Sequence, residues 1–458
     1  MIDMMQLKGR KACVAGAARS GIAAALLLVR NGASVTLYDQ KKMEDFGSEL
    51  DVLKKEDIQF ALGVDPLSVL EGKDLLVVSP VFPEQGPMIQ ESRRRGIETI
   101  AEIELASRMM DGLLVSVTGT NGKTTTTTLT HEIFCTSGRR SHAVGNIGFP
   151  FCQAVMEGGP GDVYVCECSS FQMETVNGFR PRAGAFLNLT EDHLNRHGTM
   201  EVYAGLKMRM FEKQSPSDYS IFNADDPALE AWISRTPGHV LLFSRKREVE
   251  EGAFVRDGRI IVRLEGKETE IAETGEIRIR GLHSLENALA AVLLTFVCDV
   301  PPEAIRNTLR TFPGVEHRIE FCGDHMGIRY YNDSKGTNVD STLRALETMD
   351  RPTVVILGGS DKHADFRPLA RAMKDYSAIR GAVLIGQTAP QIEQALREVD
   401  FRSVWNEKTM EDAVRRAVKE VGEGNVLLSP ACASFDMFRD YEHRGKVFKE
   451  IVHTMTGG

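Results

Sequence analysis

Short apolar runs alternate along this chain with amphipathic stretches, the signature of repeated strand–helix units. "KACVAGA" (11–17) reads as a buried strand, "RSGIAAALLLVRNG" (19–32) as a helix closed by glycine, and "SVTLYDQ" (34–40) as the next strand. "KDLLVVSP" (73–80) is a further strand, broken by Pro80. A second unit opens with "VSVTGTNGKTTTTT" (115–128) and runs to about Pro313. Its polar insert "EGAFVRDGRIIVRLEGKETEIAETGEIRIRG" (251–281) reads as β-hairpins. After Pro313-Gly314, a candidate hinge, come the strands "PTVVILGG", "GAVLIG" and "NVLLSP", with helical stretches at 389–399 and 410–421. This alternation predicts an α/β protein with mainly parallel sheets and ligands at the carboxyl ends of the strands.

At 458 residues the chain is long enough for two to four domains. Its apolar run "NALAAVLLTFVC" (287–298) is too short to span a bilayer, which takes roughly 18–20 residues. The opening "MIDMMQLKGRK" has no apolar core and cleavage site of a secretory signal, so a cytoplasmic protein is expected, with no membrane span. Eight scattered cysteines offer no zinc spacing and are expected to be reduced and mostly buried. A net charge of −9 argues against nucleic acid as a partner, because that binding needs basic surface.

Two glycine-rich turns carry candidate chemistry. Gly16-Ala-Ala-Arg-Ser-Gly21 is a relative of the dinucleotide fingerprint with alanine in the middle, and Asp39 stands at the end of the following strand. The turn serves either the fold alone or a nucleotide or nucleotide-sugar, with Asp39 as a ribose-binding acid. The second turn, Gly119-Thr120-Asn121-Gly122-Lys123-Thr124, lacks the first glycine of the general phosphate-loop pattern, having Val117 there. Its glycines let N–H groups face phosphate oxygens at a helix start, with Lys123 on the phosphates and the Thr124 hydroxyl on Mg²⁺. The alternative is a glycine-rich turn with a surface lysine. Glu167, after the apolar strand of "DVYVCECSSFQ", and His193, in "AFLNLTEDHLNRHG", are further candidate metal ligands at strand ends.

The stretches "GTNGKTTT", "GNIG", "ECSSFQ", "NLTEDHLNRH", "HSLENALAA", "EHRIE", "NDSKGTN" and "SPACASFDMF" together resemble the Mur ligase family, the ATP-dependent amide-bond-forming enzymes of peptidoglycan assembly. In that family the phosphate loop has a shortened form, so Val117 is in pattern. The resemblance is strongest to the member that adds D-glutamate to UDP-N-acetylmuramoyl-L-alanine. It implies three domains: a Rossmann-like one for the UDP-sugar (1–101), a central ATP-binding one with a P-loop ATPase-type sheet (102–313), and a Rossmann-like one for the amino acid (314–458).

Carried over residue by residue, Gly119, Thr120, Asn121, Gly122, Lys123, Thr124, Thr125, Asn146, Asn287, Arg318 and Asp333 are expected on the ATP side. Thr124, Glu167, His193 and Lys207 are implied around two Mg²⁺ ions, with Lys207 carbamylated; Lys123, His193 and Lys207 are the implied catalytic group. Ala18, Arg19, Ser20, Asp39, Ser79 and Asn146 are implied for the UDP-sugar. Lys335, Thr337, Lys362, Ser434, Phe435 and Tyr441 are implied for D-glutamate. Residue pattern alone reads Lys207 as a helix-surface lysine, Asn287 as a helix cap and Arg318 as a solvated charge. Val81, Asp361 and Tyr441 depart from the family's usual residues. The implied partners are small molecules only, acting on a monomer. Alternatives are another amide ligase of the superfamily, a nucleotide-hydrolysing switch, or a dinucleotide-dependent oxidoreductase built on the first turn.

Overall fold

The computed structural model describes residues 7–279, 281–361 and 364–456. Three sheets organise it. The first is wholly parallel, in the order β3-β2-β1-β4-β5, from β1 (Lys11–Ala15), β2 (Ser34–Asp39), β3 (Ile58–Leu62), β4 (Leu75–Val78) and β5 (Glu98–Ala101). Its order reverses between β1 and β4, which opens a crevice at the carboxyl ends of those strands. The helix Arg19–Arg30 packs Ala23, Ala24, Leu27 and Leu28 into the core beside this sheet.

The second sheet contains β6 (Gly112–Thr118), β7 (Ser141–Gly145), β8 (Asp162–Glu167), β9 (Ala183–Phe186), β10 (Tyr219–Asn223) and β11 (His239–Ser244), all parallel. The hairpin strands β12 (Gly252–Arg256), β13 (Arg259–Leu264) and β14 (Lys267–Glu273) extend it, as the alternating polar insert predicts. The full order is β14-β13-β12-β11-β10-β9-β6-β8-β7, so β6 lies between β9 and β8. The threonine run begins the helix Lys123–Thr136, where Thr124, Thr125, Thr126 and Thr127 are all buried.

The third sheet pairs β15 (Glu320–His325) antiparallel with β16 (Ile328–Asn332). β17 (Thr353–Leu357), β18 (Ile379–Leu384), β19 (Val404–Asn406) and β20 (Gly424–Leu428) complete the order β15-β16-β20-β17-β18-β19. β17 and β20 are buried end to end, as apolar runs without alternation require. The predicted helices appear as Ala389–Glu398 and Met410–Val421. By packing, the chain divides into two compact units, Met1–Ile277 with Leu285–Phe312, and Arg278–Ser284 with Pro313–Gly458. The first unit carries the first two sheets and the second unit the third. Among the described residues no helix is long and apolar enough to cross a membrane.

Candidate functional site

The loop after β6 turns on two glycines with left-handed or extended positive φ, Gly119 at 148° and Gly122 at 83°. Gly122 caps the helix Lys123–Thr136. A Cβ there would lie 2.3 Å from Asn287 Oδ1, so the position demands glycine for both conformation and space. Asn287 lies within the helix Leu282–Phe296 and packs on the loop; it is no helix cap. The first N–H groups of such a helix have no intrahelical acceptor and favour an anion.

Asn188, just beyond β9, fixes this loop. Its Oδ1 accepts the Asn121 N–H at 2.8 Å, its Nδ2 donates to Asn121 O at 3.0 Å, and its own carbonyl accepts the Thr120 N–H at 3.0 Å. The Thr120 hydroxyl donates to Thr190 O and accepts the Thr190 N–H. Sequence reasoning passed over Asn188; the first polar residue after the apolar run 183–187 was the available signal.

Two lysines converge on one carbonyl. Lys123 Nζ donates to Gly119 O at 3.0 Å and to Thr120 O at 2.8 Å, while Lys207 Nζ donates to the same Gly119 O at 2.7 Å. Lys207 lies in the last turn of the helix Met200–Met208 and is only 1% exposed, which overturns the surface reading of its pattern. Burial, then the neighbouring Lys123, push its pKa well below the ordinary lysine value. Its amine lies 4.6 Å from the Tyr203 ring centroid, and the Tyr203 hydroxyl reaches Thr120 Oγ1.

The candidate metal donors lie at the end of β8 or in the segments that follow β6 and β9. Glu167 closes β8, opposite Val117 of β6, and is 1% exposed. Asn146 donates to Glu167 Oε1 at 2.8 Å, so this expected ATP-side residue holds a carboxylate. His193 sits in the left-handed region at φ 56° and stacks obliquely on Phe171 at 4.7 Å. Thr124 is buried in the first turn of its helix. The Glu167 carboxylate and the Thr124 hydroxyl are oxygen donors of the kind a hard divalent cation takes, and His193 adds an imidazole in the segment after β9. The triplet Glu316, His317 and Glu320 also has ligand-like spacing, but Lys449 already pairs with Glu316 at 2.5 Å and Glu320 at 2.9 Å.

In the first sheet, a Cβ on Gly21 would stand 1.7 Å from Gly16 O, and one on Gly16 would stand 2.7 Å from Ser79 Cβ. Asp39 serves the backbone: Oδ2 accepts the Ala17 N–H at 2.8 Å and Oδ1 the Lys41 N–H at 3.0 Å. Ala18 and Arg19 are exposed and Ser20 is half-buried at the start of the helix. Ser20 and Ser79 line a small cleft together with Phe82, Glu102, Phe171 and Gln172. Val81 stands 73% exposed nearby in sequence.

In the second unit, the loops after β16 and β20 hold most of the residues expected for D-glutamate. Lys335 Nζ lies 5.2 Å from the Tyr441 ring centroid. Ser434 is buried, Thr337 half-buried and Phe435 73% exposed. Lys362 lies outside the described residues. Arg444, fully buried, was missed by sequence reasoning. Its guanidinium donates to Ser334 Oγ, Ser334 O, Cys432 O and Ala433 O, tying the two loops together. Asp333 accepts Ser429 Oγ at 2.7 Å, and burial pushes its pKa up to about 6. Arg318 is half-buried with its Nε enclosed, rather than a solvated charge.

Residues 117–295 match the Mur ligase middle domain and residues 317–432 the Mur ligase, glutamate ligase domain. The chain belongs to the Mur ligase family. This Mur ligase is 42% identical over 451 residues to a protein of Thermoanaerobacter pseudethanolicus named UDP-N-acetylmuramoylalanine--D-glutamate ligase, covering 98% of this chain and 99% of the other. A protein of the same name from Pelotomaculum thermopropionicum is 43% identical, with 98% of each chain covered. In fold, the Mur ligase is similar to a pseudomurein peptide ligase type C from Methanothermus fervidus, with a TM-score of 0.59 at 18% identity over 97% of this chain and 100% of that one. It is also similar to MurF from Acinetobacter baumannii, with a TM-score of 0.60 at 14% identity over 99% and 93%.

Proposed function

We propose that this Mur ligase joins D-glutamate to UDP-N-acetylmuramoyl-L-alanine at the expense of ATP, as a cytoplasmic step of peptidoglycan precursor synthesis. The observation that carries the reading is identity of 40–43% over 98% of the chain to relatives bearing that one name. The phosphate loop with two lysines on Gly119 O supports it.

The alanyl carboxylate attacks the γ-phosphorus of ATP, ADP leaves, and an acyl phosphate forms. The D-glutamate amine then attacks the acyl carbon, loses its proton, and the tetrahedral adduct expels phosphate to give the amide. Lys123 and the N–H groups at its helix start would take the phosphates, where fixed donors act most strongly on developing charge. Thr124, Glu167 and His193 would hold magnesium, which supplies charge neutralisation and polarisation of the phosphoryl group. Lys335, Thr337 and Ser434, with Lys362, offer the cations and hydroxyls that two substrate carboxylates need.

Lys207 takes a modification in this reading. A buried amine whose pKa lies well below the ordinary lysine value can add CO₂ from its neutral form, forming an N–C bond and releasing one proton, and so becomes a carbamate with hard oxygen donors. Lys207→Ala is then nearly inactive but folded, and short carboxylates partly restore its turnover. Lys207→Arg stays inactive, because a guanidinium remains charged and cannot be carbamylated. Full activity of the arginine variant would refute the modification.

The decisive experiment for the reaction is phosphate release from ATP with UDP-N-acetylmuramoyl-L-alanine and each candidate amino acid. D-Glutamate is expected to exceed L-glutamate and D-aspartate, since each polar group left unpaired costs about 1–3 kcal/mol. Equal turnover with L-alanine, or phosphate release without any amino acid, would move the chain to another ligase or to a nucleotide-hydrolysing switch.

A further inference from the structure

Three segments that follow strands of the first unit meet at a partly buried ion pair that none of the roles above uses. Arg196 presents its guanidinium edge to Glu174, with Nε 2.8 Å from Oε1 and Nη2 2.7 Å from Oε2. The two side chains are 20% and 6% exposed. Glu174 follows β8 and Arg196 follows β9, three residues beyond His193. The pair also reaches the segment after β4 that begins with Ser79. Glu174 Oε2 accepts the Glu84 N–H at 2.9 Å, and Arg196 Nη2 donates to Phe82 O at 3.4 Å. The guanidinium lies 4.4 Å from the centroid of the Phe171 ring, on which His193 also rests.

A partly buried ion pair such as this adds little net stability, because desolvation and solvent screening offset most of its attraction. What a two-pronged carboxylate–guanidinium contact supplies is fixed geometry. Here the fixed objects are two peptide groups of the 79–84 segment on one side and the short helix Leu194–His197, which His193 caps, on the other.

We propose that Glu174 and Arg196 are positioning residues that hold the UDP-sugar loop in register with the metal-ligand turn, so that substrate affinity and magnesium response depend on one contact. The inference rests on the function proposed above, in which Ser79 lies on the sugar side and His193 on the metal side. Misplacement of reacting groups by about 1 Å is enough to cost on the order of 10²-fold in rate. Neither residue touches the reacting atoms in this scheme. Their influence passes through Phe82, Glu84 and His193.

The test is a full kinetic comparison of Arg196→Lys, Glu174→Gln and the double variant with the wild-type chain. Arg196→Lys keeps the charge but loses the second prong. It is expected to raise KM for UDP-N-acetylmuramoyl-L-alanine roughly tenfold, the scale of one lost charge-assisted hydrogen bond. Half-saturation by Mg²⁺ should rise in parallel, while KM for D-glutamate stays unchanged. Glu174→Gln moves the same constants in the same direction. The double variant is no worse than the worse single one, because the two residues act as a unit. Calorimetric binding of the UDP-sugar to each variant provides a readout independent of turnover, and Glu174→Gln carries the test if the arginine variant does not fold. A merely structural pair would lower thermal stability and active fraction while leaving both constants at wild-type values, and that result overturns the proposal. A wild-type chain that fails to use the UDP-sugar and D-glutamate would instead overturn the functional reading beneath it.

Discussion

The turn Gly16–Gly21 and the loop Gly119–Lys123 occupy equivalent places: each follows a central parallel strand and opens a helix. Both depend on glycines that no side chain could replace. They differ in the charge of the group that holds them. Asp39, a carboxylate, takes the Ala17 and Lys41 N–H groups in the first. Asn188, a neutral amide, takes Asn121 in the second, where Lys123 and Lys207 meet on Gly119 O. A carboxylate anchor cancels the positive potential of a helix start, whereas an amide leaves it available to phosphate. One backbone device thus serves a turn anchored by a carboxylate and a loop anchored by a neutral amide beside Lys123.

Lys123→Ala removes the charge on which that difference turns and has the largest expected effect. Turnover should fall roughly 10³-fold, with the circular dichroism and melting of a folded protein. Near wild-type turnover in a folded variant would end the loop's proposed role.

Burial sharpens the comparison. Glu102 is another carboxylate anchor, accepting the Cys152 N–H at 2.7 Å, but burial pushes its pKa up to about 7. A carboxyl raised in the folded state contributes stability that is complete below its unfolded value near 4.5 and lost as pH rises through about 7. Glu102→Gln cannot ionise, so its stability relative to wild type should grow by about 2–3 kcal/mol between pH 5 and pH 8. Denaturant melts at the two pH values measure this; a constant difference would mean that Glu102 stays ionised.

Asn188→Asp converts the second loop's anchor to the first loop's kind. It places a negative charge at the phosphate loop and removes the donor to Asn121 O, so kcat/KM for ATP should fall about 10–100-fold. An unchanged value would show that anchor charge is irrelevant. The smallest effect belongs to the reverse exchange, Asp39→Asn. One of two N–H groups loses its acceptor, costing about 1 kcal/mol of stability, and KM for ATP stays constant. A shift in the ATP constant would show that the two turns are not independent.

Much of this was legible in the residues. Glycine positions, apolar runs and the polar hairpin insert read correctly because backbone conformation and strand or helix periodicity are local properties. Glu167 was placed at the end of β8 by the same reasoning, whereas His193 lies beyond β9 and caps the short helix Leu194–His197. Asn287 and Arg318 were misread from pattern alone, since a polar residue near a helix start or a turn looks the same whether solvated or packed on another segment. The family resemblance, not the spacing, singled out Lys207, whose neighbours in sequence say nothing about burial.

The sequence by itself determined where chain direction changes, which residues bring phosphate and metal chemistry, and that the sheets are mainly parallel. Tertiary structure alone decided which of these meet. Asn188 grips a loop 67 positions before it, Lys207 a carbonyl 88 positions before it, and Arg196 a carboxylate 22 positions away. Those contacts exist because β6 is threaded between β9 and β8, bringing the ends of strands that are distant in the chain side by side. Strand order is fixed by packing of whole units, a property that no short stretch of residues carries.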